Sequence, residues 1–223
     1  MADLFSSPSD IAAEAAADTA DTAEPSRRRP RPGERRAQIL QALAQMLEQP
    51  GSERITTAAL ARQLQVSEAA LYRHFASKAQ MYEGLIDFIE TSVFTLVRQI
   101  TAQVEASGSE QAARIVAMLL QFAERNPGMV RVMAGDALVL EHERLQQRMN
   151  LFFDKLEAQL RQCLRPMGEV AESAQQAQQT QQQAQVRANV LACFALGRLQ
   201  RFARSDFKRL PTEHLQASLA ALL

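Results

Sequence analysis

The stretch RITTAALARQLQVSEAALYRHFASKAQMYEGLI, residues 54–86, decides the fold. Its apolar residues return every three or four positions, and between them stand residues that start helices. Thr56 or Thr57 can cap a helix through Leu64, with Ala58, Leu60, Ala61 and Leu64 as its packing face. Gln65-Val66 make the turn. Ser67 caps a second helix, Glu68 to about Phe75, and Glu68 in its first turn suits the helix dipole. Ser77 with Gln80 reads as a capping box opening a longer helix. Met81, Leu85, Phe88, Ile89 and Leu96 form an apolar stripe along it to about Val104.

Two short helices around a tight turn are common, so the spacing alone says little. The residues say more. A helix that reads DNA must pack one face on its partner while the other offers small or polar side chains to a groove about 12 Å wide. Leu71 and Phe75 are four apart and face inward, leaving Ala69, Ala70, Arg73 and His74 outside. Alanines allow close approach and can meet thymine methyls. The hydroxyls of Thr57 and Tyr72 suit phosphate oxygens, and Lys78 stands at a helix start where anions are favoured. Thr56, Ser67 and Glu68 complete the candidate DNA-binding set. Ordinary readings stand beside these, with Thr57 as a mere cap and Tyr72 as filler at the core edge.

Outward from this stretch the chain stays helical. Upstream, Ile39, Leu40, Leu43, Met46 and Leu47 keep helical spacing from a start near Pro32 to a stop at Pro50-Gly51. Downstream, Ser107 and Glu110 form a capping box ahead of Ile115, Leu119 and Phe122, and ERNPG (124–128) ends that helix. A short helix follows over about Met129 to Leu138. Leu145, Met149, Phe152, Leu156, Leu160 and Cys163 then mark a long helix stopped near Pro166. Residues 168–185 are rich in glutamine, an extended helix end or a flexible loop. Val190, Cys193, Phe194, Gly197 and Arg201 mark a final main helix, and Pro211-Thr212 precedes a short terminal one. Only 8 glycines and 8 prolines in 223 residues are too few for a turn-rich β fold. The expectation is all-α: a three-helix helix-turn-helix head at residues 34–80 and a helical dimerisation and regulatory body at 81–223.

The formal net charge is zero, which hides a strong asymmetry. Residues 1–26 hold six acids and no base, whereas residues 27–82 hold ten bases and four acids. A cationic head beside a balanced body suits a nucleic-acid reader, and a disordered solubilising arm accounts for the arginines equally well. Residues 1–33, acidic and then RRRPRPG, read as a disordered extension with too few apolar groups to offset ordering.

The stretch 54–86 resembles the DNA-binding head of the TetR family, whose pattern includes TT…A…VS…LY.HF.SK…L. That resemblance implies a fourth helix linking head to body and a twofold homodimer built on a four-helix interface. One departure is Gln65, where the family usually has glycine; the position is expected to need φ > 0. FIE (88–90), ERNPG (124–128), RLQQRMN (144–150), EAQLRQ (157–162) and SDFKRLPT (205–212) resemble the nucleoid-occlusion members of that family. They imply a protein bound to near-palindromic sites on double-stranded chromosomal DNA that antagonises assembly of the division GTPase FtsZ. Phe88, Arg125 and Asn126 are the candidate FtsZ contacts; the plainer reading has Arg125 and Asn126 closing a helix end.

Two other classes compete with this reading. A ligand-responsive repressor of the same fold needs an apolar cavity with a few polar groups. Met118, Phe122, Phe152 and Phe194 could line one, but at helical spacing they suit a filled core, so no small-molecule ligand is expected. An enzyme is disfavoured, since the sequence has no Gly-rich phosphate loop, GxSxG or HExxH. Asp136, Glu141, His142 and Glu143 read as a solvated helix start. Cys163 and Cys193 read as buried reduced thiols, and the three histidines share no ligand spacing, so neither metal nor cofactor is expected. With no apolar run near the roughly 20 residues that cross a bilayer and no secretory pattern, the expected place is the cytoplasm, on the nucleoid.

Overall fold

The computed structural model describes residues 33–49, 55–103, 105–165 and 173–223. The extension expected at 1–33, the Pro50-Gly51 stop, Val104 and Pro166 fall outside these residues, apart from Gly33. The described residues are helical, with no strand among them.

Three helices make the head: α1 (Glu34–Leu47), α2 (Thr57–Gln63) and α3 (Glu68–Tyr72). Both short helices start as their sequence dictates. The Thr56 hydroxyl accepts the Ala59 amide at 3.1 Å, and the Ser67 hydroxyl accepts that of Ala70 at 3.3 Å. Gln65 does take φ 54°, and it closes α2 as glycine would. Its amide reaches the Arg62 carbonyl at 3.1 Å and that of Val66 reaches Ala61 at 2.9 Å, the paired bonds of a Schellman turn. A side chain in that conformation costs about 1 kcal/mol relative to glycine. Leu60 and Ala61 are buried, but Ala58, expected on the packing face, is exposed. On so short a helix the inward stripe is only two residues wide.

The remaining helices are α4 (Lys78–Thr101), α5 (Gly108–Arg125), α6 (Pro127–Met133), α7 (Glu143–Leu164), α8 (Ala174–Arg204) and α9 (Leu215–Leu222). One buried cluster runs without a break from Ile39 in α1 to Leu219 in α9. The expected boundary at 80/81 falls inside α4, which serves both parts. Gly128, at the start of α6, comes so close to α1 that a Cβ there would stand 2.1 Å from the Ala44 carbonyl oxygen. Head and body are thus joined along α4 and again across α1 and α6.

Several local expectations are corrected. The Ser77 hydroxyl accepts the Gln80 amide at 3.2 Å, but the Gln80 side chain takes the amide of Ala76 at 2.8 Å, so the box is displaced by one residue. The short helix expected over 129–138 starts at Pro127 and is cut by Gly135 at φ 88°, leaving a 3-10 turn over Asp136–Leu138. The Ser107–Glu110 box is present, with bonds of 3.2 and 2.8 Å. Those bonds hold the Glu110 carboxyl below its ordinary pKa.

The expected row on α7 is buried throughout, from Leu145 to Cys163. On α8 the expected register is wrong. Val190 and Cys193 face out, and the inward residues are Ala184, Ala188, Leu191, Ala192, Ala195 and Leu199. Opposite the bulky row of α7 the packed face of α8 is more than half alanine, so residue size alone does not mark it. Ser173 caps α8, and the glutamine-rich residues from 174 onward are its first turns. Gln185 and Asn189 donate to Glu157 at 2.7 and 3.1 Å, tying that stretch to α7.

Candidate nucleic-acid interface

The head brings the candidate DNA-binding residues together around α3. Leu71 and Phe75 are 0 % and 1 % exposed and anchor it from behind. Ala69, Arg73 and His74 are exposed and Ala70 is half-buried, as a groove-facing side requires. The α-helix ends at Tyr72, three residues earlier than expected. Phe75 must drop into the core where the chain turns toward α4, yet its amide still reaches the Leu71 carbonyl at 3.1 Å.

Thr56 spends its hydroxyl on the cap, which leaves Thr57 free to point elsewhere. Its hydroxyl donates to the Glu68 carboxylate at 2.7 Å and accepts from the Tyr72 hydroxyl at 3.5 Å. Tyr72 is 45 % exposed, so it does not fill the core edge. Thr57, Glu68 and Tyr72 form a small polar network across α2 and α3, holding two hydroxyls in fixed orientation at the surface. Sequence reading missed Arg36. Its guanidinium lies 4.0 Å over the Phe75 ring and donates to the His74 carbonyl at 2.7 Å, pinning the chain that follows α3 to α1. The signal that could have found it is the α1 face shared with the buried Ile39 and Leu43.

Lys78 is already engaged with the body, in an ion pair with Glu141. Glu141 is 13 % exposed, not a member of a solvated helix start. His142 caps α7, its Nδ1 accepting the Arg144 amide at 3.3 Å. Beyond this pair, α4 and α7 are stitched by Arg144–Glu83 at 2.8 Å and Arg148–Glu90 at 2.7 Å, with Asp87 also on Arg148. Such exposed pairs contribute at most about 1 kcal/mol each and chiefly fix register.

Two of the partner candidates, Phe88 and Asn126, meet at Phe122. The ring of Phe88, 39 % exposed, lies 6.5 Å from it, and Asn126 donates to its carbonyl at 2.8 Å. Phe88 therefore leaves the buried stripe of α4, where Met81, Leu85 and Ile89 remain. Asn126 does close α5, as its plainer reading had it. Arg125 is exposed beside it.

Met118, Phe122 and Phe152 are core residues, and Phe152 packs edge-on against Phe94 and Phe153 at 5.4 and 5.1 Å. Phe194 is half-buried under Arg198 at 4.8 Å. A cleft of about 490 Å³ lies elsewhere, lined by Arg131, Asp136, Val139, Leu140, Ala203, Arg204 and Asp206. No group of three or more His, Cys, Asp or Glu residues suited to a metal ion occurs among the described residues. No helix among them is long and apolar enough to cross a membrane.

Comparison with known proteins bears on both halves. Residues 39–85 match the family described as bacterial regulatory proteins, tetR family. Residues 110–223 match the tetracyclin repressor-like C-terminal domain of SlmA-like type. The chain is 49 % identical to the nucleoid occlusion factor SlmA of Idiomarina loihiensis over 183 residues, covering 82 % of this chain and 90 % of that one. It is 47 % identical to SlmA of Vibrio vulnificus over 189 residues, covering 84 % and 93 %. Among solved structures it is similar to a TetR-like transcriptional regulator from a Rhodococcus species, with TM-score 0.62, 18 % identity and coverage of 87 % and 97 %. FadR from Bacillus subtilis, in complex with stearoyl-CoA, gives 0.61 at 14 % identity, covering 83 % and 96 %. At such identities these structures speak for the fold alone.

Proposed function

Because this chain belongs to the TetR family of DNA-binding regulators, on its SlmA branch, we propose that it is a nucleoid occlusion factor: bound to chromosomal sites, it antagonises FtsZ assembly over the nucleoid. The observation that carries this reading is identity of 46 to 49 % to SlmA proteins along more than four-fifths of the chain. A ligand-responsive repressor is the broader family's reading; the packing of Phe152 against Phe94 and Phe153, where such a cavity would lie, favours occlusion over it.

In this reading residues 34–80 are the DNA-binding head and 81–223 the dimerisation and partner-binding body. Ala69, Ala70, Arg73 and His74 meet base edges, while Thr57, Tyr72 and Lys78 meet phosphates. Thr56, Ser67 and Glu68 shape the helix starts that face the backbone. A second copy covers the outward side of α8, where Val186 and Val190 are 55 % and 41 % exposed, together with Leu151 of α7 at 55 %. Exposed apolar side chains on two adjacent long helices support a four-helix interface. A twofold dimer then presents two α3 helices to a near-palindrome on the nucleoid in the cytoplasm.

FtsZ is met by Phe88, Arg125 and Asn126, an exposed aromatic ring and an exposed guanidinium being side chains enriched at interface hot spots. The test is sedimentation of FtsZ polymers with GTP, cognate duplex and this protein. Wild type is expected to cut the pelleted FtsZ, and Arg125→Glu to restore it while DNA affinity stays unchanged. Full antagonism by Arg125→Glu would remove Arg125 from the partner surface. No antagonism by wild type would overturn the occlusion reading.

A further inference from the structure

Lys78 is the first residue of α4, and its ammonium arrives at the DNA interface already paired. The partner, Glu141, lies 63 residues further on, between the 3-10 turn and the cap of α7. The two side chains are 27 % and 13 % exposed, so water screens them less than it does a surface pair. Tyr82 closes another side, only 2 % exposed and with its ring centroid 5.6 Å from the ammonium.

A lysine held in this way brings no net charge to a phosphate. To serve the duplex alone, the ammonium must leave a mostly buried carboxylate uncompensated. To serve both, it must hold carboxylate and phosphate, two anions, within a few ångströms of each other. In either case Glu141 opposes the contact.

We propose that Glu141 is a positioning residue of the DNA interface: acting through Lys78, it withholds that cation from the backbone and lowers affinity for every duplex alike. The inference rests on the reading of Lys78 as a phosphate contact. It also gives the body a hold on the head. A duplex that draws Lys78 away loosens residues 139–142, where Val139 and Leu140 are 72 % and 62 % exposed and His142 caps α7. By linkage, whatever holds Glu141 on its own in the body favours DNA binding by the same factor.

Counterions make the proposal measurable. When Lys78 leaves Glu141 for a phosphate, a cation leaves the DNA and another is drawn to the carboxylate, so the exchange adds little to the salt dependence. With the carboxylate neutralised, Lys78 counts as a full phosphate contact, and the slope of log K against log salt steepens by about 0.9.

The experiment titrates the full-length protein against an inverted-repeat duplex and a random duplex between about 50 and 200 mM salt. The variants are Lys78→Ala, Glu141→Gln and the double substitution. Glu141→Gln is expected to tighten both complexes by about three- to tenfold with the steeper slope, and Lys78→Ala to weaken both. The double variant is expected to match Lys78→Ala. Glu141→Asp, which keeps the charge and draws it back by one methylene, guards against loss of fold in the glutamine variant and should tighten binding in the same sense, but less. If Lys78→Ala weakens binding while neither Glu141 variant tightens it, Glu141 does not act on DNA through Lys78 and the proposal falls alone. Were Lys78→Ala silent, the phosphate reading would fall, and the proposal with it.

Discussion

Replacing Gly128 with alanine is expected to destabilise the protein by about 3 kcal/mol, the upper end of what overpacking costs. The added Cβ would stand 2.1 Å from the carbonyl oxygen of Ala44 and 2.9 Å from its carbonyl carbon. Both are backbone atoms, so no rotamer change relieves the clash, and α1 and α6 must move apart. The Glu48 carboxylate, which takes a hydrogen bond from the Gly128 amide, loses its partner as they do. Because α1 also carries Arg36, DNA affinity should fall along with stability. Urea unfolding at one protein concentration measures the effect as a lower midpoint at constant slope. A shift below about 0.5 kcal/mol would mean that α1 and α6 are not held in this contact.

Phe75→Ala is expected to cost about 3–5 kcal/mol, the range for emptying a buried phenylalanine site. The ring is 1 % exposed, lies beneath the Arg36 guanidinium at 4.0 Å and stands between α3 and α4 in sequence. Its loss frees the chain after Tyr72 and leaves Arg36 with only its bond to the His74 carbonyl. Binding to any duplex should weaken, because α3 would no longer be presented at a fixed angle. Calorimetric melting beside duplex titration checks both effects. Wild-type stability with wild-type binding would show that Leu71 alone suffices to seat α3.

What was legible in the sequence follows the range of the interaction. Thr56, Ser67, Ser77 and Ser107 announced their helices because a cap is decided within three residues. The row on α7 was legible because Leu145, Met149, Phe152, Leu156, Leu160 and Cys163 recur on one face in steps of three and four. The same kind of periodicity misleads on α8, where alanines share the packed face with Leu191 and Leu199 while Val190 and Cys193 look outward. Cys193, at a position where helical spacing predicts burial, is exposed. Phe88 sat in a plausible stripe yet left it, because its ring packs on Phe122 of α5, a helix that spacing within α4 knows nothing about. The Lys78–Glu141 pair and the Arg36–Phe75 stack join residues far apart in the chain, and no local pattern could have announced either.

The head's DNA reading itself depends on the exposed side of α3, and one measurement tests it most directly. Wild type and Arg73→Ala are titrated against the duplex selected by the wild-type protein and against random duplex, at the same salt. The expected result is a loss of about 1–3 kcal/mol on the selected duplex and little change on the random one, because a base-edge contact disappears while the phosphate contacts stay. Equal loss on both duplexes, or none on either, would contradict it.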